Sequence, residues 1–94
     1  NKDLIKSLMI NKAKIRKPYY VRVFSKEKQN LDKLKDCLFT IFNIDRNSII
    51  ISERLNGLGT RYFELNINKK DEVKKLISSN LLNNIELNKV EKIQ

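Results

Sequence analysis

The chain has 94 residues and a formal net charge of +9, from 20 Lys and Arg against 11 Asp and Glu. That length gives room for one domain, with a core just large enough to hold without a metal or a disulfide. With no histidine and a single cysteine, the sequence lacks a thiol–imidazole pair, a zinc site of recognisable spacing and the commonest general base.

These absences set the expectation of a non-enzymatic domain with no catalytic residues, no metal and no cofactor. The close acidic pair Asp71 and Glu72 falls in the first turn of an expected helix, where carboxylates serve the helix dipole. Gly57 and Gly59 lie between two expected antiparallel strands, whereas phosphate-binding glycine loops lead from a strand into a helix. Cys37 lies on an apolar helical stripe and reads as a small buried hydrophobe in a reducing compartment. No apolar run approaches the ~20 residues of a membrane span. The opening residues alternate charged and apolar side chains too evenly for a signal peptide. An intracellular setting, cytoplasm or organelle matrix, is therefore expected, with no membrane partner.

The charge is unevenly spread. Residues 1–28 carry nine basic side chains against Asp3 and Glu27, a net of +7, and residues 29–94 carry eleven against nine, a net of +2. A basic end on a nearly balanced body attracts polyanions.

In chain order, Leu4, Ile5, Leu8 and Met9 recur at helical spacing and predict a short helix over 2–10. Lys12, Lys14, Arg16 and Lys17 follow, before Pro18, as an extended basic arm. Residues 19–24, rich in β-branched and aromatic side chains, predict a strand with Tyr20, Arg22 and Phe24 on one face and Tyr19, Val21 and Val23 on the other. Asn30 is the expected cap of a helix on which Leu31, Leu34, Cys37, Leu38, Ile41 and Phe42 form the apolar stripe. Residues 48–55 and 60–67 predict two strands joined by a glycine turn. Asn68 is the expected cap of a second helix carrying Val73, Leu76 and Ile77, with Asp71 completing a partial capping box. Ile85 and Leu87 alternate, so residues 83–93 are expected to form a last strand.

The expected architecture is α+β. It is a ferredoxin-like split βαβ arrangement (βαββαβ), an antiparallel sheet with two helices on one face, preceded by a short N-terminal helix and basic arm. Residues 1–18 form the helix and arm, and residues 19–94 the single α+β domain. Tyr20, Arg22, Phe24, Arg54 and Tyr62 would then share the face that the helices leave open, and aromatics interleaved with arginine suit single-stranded nucleic acid, bases stacking on the rings and guanidinium groups meeting phosphates.

Tyr20 and the run Gly59-Thr60-Arg61-Tyr62-Phe63 resemble the strand motifs of RNA-recognition motifs, with Gly59 and Tyr62 in place and Thr60 and Arg61 departing. Residues 21–24 with Leu31, Leu34, Leu38 and Ile44 are similar to ACT regulatory domains, without the ligand-approach glycine. The sheet face is also similar, more distantly, to half of a LAGLIDADG endonuclease domain, which binds DNA on such a face. The acidic helix motif is absent, so this resemblance implies binding without cleavage.

The expected function is thus a nucleic-acid-binding module, RNA ahead of DNA, such as a structural component of a ribonucleoprotein. Its binding residues would be Lys12, Lys14, Arg16, Lys17, Tyr20, Arg22, Phe24, Arg54 and Tyr62. The alternative is an ACT-like or otherwise self-pairing assembly domain, forming a homodimer or a larger assembly.

Overall fold

Asn1 opens the first helix: its Oδ1 accepts the amides of Asp3 at 2.9 Å and Leu4 at 3.3 Å, so donors without an intrahelical partner are satisfied. The computed structural model describes residues 1–17 and 19–93, leaving out the side chains of residues 17 and 90–93. The elements are helix α1 (Lys2–Lys12), strand β1 (Lys14–Lys17), strand β2 (Tyr20–Ser25) and helix α2 (Lys28–Phe42). A 3-10 turn (Arg46–Ser48) leads into strands β3 (Ile49–Leu55) and β4 (Arg61–Ile67), and then come helices α3 (Lys70–Ser78) and α4 (Asn84–Ile93).

The fold is α+β, with one four-stranded sheet in the order β1-β2-β4-β3 and antiparallel neighbours throughout. The expected central pair, β2 and β4, lies in the middle with α2 crossing over it. The outer strand differs from the expectation. Residues 83–93 form α4 rather than a strand, and the basic arm, as β1, takes the sheet edge beside β2. The chain order is therefore αββαββαα, not βαββαβ after a helix and arm, and among the described residues four helices accompany the sheet rather than the expected three, the N-terminal one and two in the domain.

Local chemistry explains the last helix. Asn83 Oδ1 accepts the Glu86 amide at 2.9 Å, and the Asn83 carbonyl accepts the Leu87 amide at 3.0 Å. Glu86 is buried and Leu87 half-buried on one helical side, while Ile85 is 73% exposed. A strand would have sent Ile85 and Leu87 to the same face.

Both expected caps also move. α2 begins two residues ahead of Asn30, after Glu27, whose amide is held by the Ser25 hydroxyl oxygen at 3.1 Å. α3 starts after Lys69 with no side-chain cap, so Asn68 does not serve that role. α2 ends on Asn43 in the left-handed region, φ 59°, where asparagine is tolerated better than most residues.

Among the described residues, the fully buried apolar side chains of the strands lie on one side of the sheet. Val21, Val23, Ile49, Leu65 and Ile67 meet Leu31, Leu34 and Leu38 of α2, Met9 of α1, and Val73 and Leu76 of α3 in one cluster. Ile41, expected in this core, is 37% exposed at the end of the α2 stripe. Ile15 of β1 joins the cluster and is almost wholly buried. Lys14–Lys17 is thus extended, as expected, with Ile15 in the core, whereas Lys12, expected in the extended arm, closes α1 because that helix runs past residue 10.

Candidate functional site

Strand alternation divides each strand between the covered face and the open one. The register aligns Lys14 with Arg22, Arg22 with Asn66, and Phe24 with Glu64. It also aligns Ser52 with Glu64 and Arg54 with Tyr62. Directly opposed residues of antiparallel strands share a face. Arg22, Phe24, Arg54 and Tyr62 therefore stand together opposite the helices, as expected from the sequence, with Tyr20, Ser52, Glu64 and Asn66 among them and Lys14, expected in an arm, joining them at the edge.

An open hollow of about 360 Å³ lies on this face, lined by Arg16, Tyr20, Arg22, Arg54, Tyr62 and Glu64. Arg16 shares the open face with Lys14 by strand alternation, opposite the buried Ile15. The ladder is irregular just past it: Ile15 pairs with Val21 but Lys17 with Tyr20, which leaves Arg16 as the extra residue at the sheet edge next to the hollow.

The aromatic and basic groups interlock. The Arg22 guanidinium lies 5.0 Å from the Phe24 ring centroid, and Phe24 meets Tyr62 edge-on with centroids 5.7 Å apart. One face of Phe24 is therefore occupied by a cation, while Tyr20 and Tyr62 are half-buried. Ile50 is 49% exposed at the rim.

At the centre stands Glu64, 3% exposed. Its carboxylate faces Arg22 Nη1 at 3.6 Å and Arg54 Nη2 at 3.5 Å. It also accepts the Tyr20 hydroxyl at 3.4 Å and the Asn66 amide Nδ2 at 3.3 Å. Each contact is long, so the carboxylate is held by their sum. The Arg22 Nε is buried without a hydrogen-bond partner.

β1 is fastened from beneath by α4. The Glu86 carboxylate, 2% exposed, accepts the Ile15 amide at 3.0 Å and pairs with Lys89 Nζ at 2.9 Å. Desolvation raises its pKa, but the Ile15 amide and Lys89 outweigh it and hold the carboxyl below its ordinary range.

Of the residues expected to bind, Arg16, Tyr20, Arg22, Arg54 and Tyr62 line the hollow, and Lys14 and Phe24 share its face. Lys12, in the last turn of α1, lines a different, largely apolar hollow with Ile5, Leu8, Leu31, Leu34 and Cys37. The side chain of Lys17 lies outside the described residues. Cys37 is half-buried rather than fully buried. Glu64 and Asn66 were not among the expected binding residues; the alternation on β4 that places Tyr62 also places them. Among the described residues no group of three or more Asp, Glu or Cys could hold a metal, and no helix is long and apolar enough to cross a membrane.

No family model, curated protein or solved structure matches the chain.

Proposed function

We propose that the chain binds nucleic acid, without catalysis, on the open face of its sheet. The observation that carries this reading is that, among the described residues, four cations, Lys14, Arg16, Arg22 and Arg54, gather with one carboxylate, Glu64, on the sheet face that lies opposite the helices. Such a surplus attracts phosphates, and the guanidinium groups add bidentate geometry for phosphate or base edges. The distant resemblance to half of a LAGLIDADG domain supports the same face. With Arg22 over Phe24 and both tyrosines half-buried, the arginines carry more of the binding than ring stacking does.

Self-pairing through this face would set the same cations against their own copies, with only the two Glu64 carboxylates between them. That juxtaposition repels. The test is affinity for short single-stranded RNA, single-stranded DNA and duplex DNA at low and high salt, alongside the mass in solution. Binding that weakens steeply with salt, with a slope lowered by roughly 0.7–0.9 for each of Arg16 and Arg54 changed to Ala, is the expected result. Salt-independent or absent binding to all three ligands rejects the reading.

A further inference from the structure

Resting on that reading, the geometry points to Glu64 as the positioning residue that makes the face selective rather than merely adhesive. A face meant only to hold polyanions gains nothing from a carboxylate at its centre. Glu64 costs net positive charge, and it has been placed nearly out of solvent, where an unpaired carboxylate is expensive. What it obtains is the orientation of its neighbours. Arg22 on β2 and Arg54 on β3 flank β4 from opposite sides, and Glu64 between them meets both.

A guanidinium carries five N–H donors in a rigid fork, so one directed at Glu64 leaves others for a ligand. Arg54 keeps 49% of its side chain exposed and Arg22 20%. Two long, rotamer-rich side chains are thereby held toward one point, with Tyr20 and Asn66 bracing the same carboxylate. Fixed forks discriminate base edges; free ones follow phosphates wherever they run. Glu64 itself is too buried to be the contact. It acts through Arg22 and Arg54.

Two substitutions separate position from charge. Glu64→Gln keeps the shape and removes the anion, leaving both guanidinium groups free for phosphate. Glu64→Asp keeps the anion but withdraws it by one methylene, beyond reach of partners that are already distant. The readout is the spread of affinities across short RNA single strands and DNA duplexes of different base composition, with the salt slope for each. Glu64→Gln should steepen the slope by roughly 0.7–0.9 and compress the spread by about fivefold or more. Glu64→Asp should compress the spread equally while leaving the slope unchanged.

If Glu64→Asp retains the wild-type spread, Glu64 serves only as charge and the inference fails. Should both variants melt earlier yet keep spread and slope, its role is structural alone and the inference fails again. A wild-type protein that binds all sequences equally also overturns it, without touching the proposed function. Absence of salt-dependent binding by the wild type removes the two together.

Discussion

Ile15 donates its amide to Glu86 across 71 residues of sequence, and that bond decides where the basic strand lies. Glu86→Ala leaves a buried N–H without an acceptor and should cost about 1–3 kcal/mol in denaturant titrations. The same carboxyl gives a pH signature. Its folded pKa is lowered from the ordinary 4.5, so its contribution is complete above that value and is lost as pH falls through the lower, folded value. Stability of the wild type should therefore fall on acidification below roughly pH 4.5 more steeply than that of Glu86→Gln, which cannot titrate. Equal acid sensitivity would mean that Glu86 is not the clasp. Little of this is legible in residue types alone. A glutamate between Ile85 and Leu87 reads as solvent-facing, and only the fold brings Ile15 to it.

At the scale of elements, alternation and helical spacing carry most of what the sequence discloses. β2, β3 and β4 are readable because their two faces differ in polarity, and α2 because Leu31, Leu34 and Leu38 repeat at its period. Leu38 is fully buried beneath the sheet, so Leu38→Ala should lower stability by about 2–5 kcal/mol. Residues 83–93 mislead because Ile85 and Leu87 imitate alternation. The opposing signal is present in Asn83-Asn84-Ile85-Glu86, an asparagine followed three residues later by glutamate at a helix start. Glu86 then turns to Ile15 instead of reaching back to the cap. Ile85→Lys distinguishes the two assignments. On the solvent side of α4 it should change stability by no more than about 0.5 kcal/mol, whereas the same lysine in a core-facing strand position would be severely destabilising. The edge taken by β1 is harder to foresee, because the close run of Lys12, Lys14, Arg16 and Lys17 suggests an arm in solvent. Ala13 and Ile15 are the apolar positions that betray it, and both are buried.

Across the whole molecule the basic N-terminal third is not one patch, and the division of its central run follows from where α1 ends. Lys12 closes the helix and borders the apolar hollow beside α2, while Lys14 and Arg16, on β1, belong to the open sheet face. A tethered, freely moving arm would present all these charges to a polyanion together. A strand with Ile15 packed in the core and its amide held by Glu86 presents only one side. The consequence is measurable as a difference between neighbouring lysines. Changing Lys14 and Arg16 to Ala together should lower the salt slope of binding by roughly 1.4 on single strands or 1.8 on duplex DNA, since each phosphate no longer neutralised removes about 0.7 or 0.9. Lys12→Ala removes the same kind of charge two residues before Lys14 and should leave the slope within error of the wild type, because the slope counts phosphates neutralised in contact and Lys12 borders the other hollow. Equal reductions from Lys12→Ala and from Lys14→Ala would show that binding follows net charge rather than the sheet face, and the face would lose its claim to the ligand.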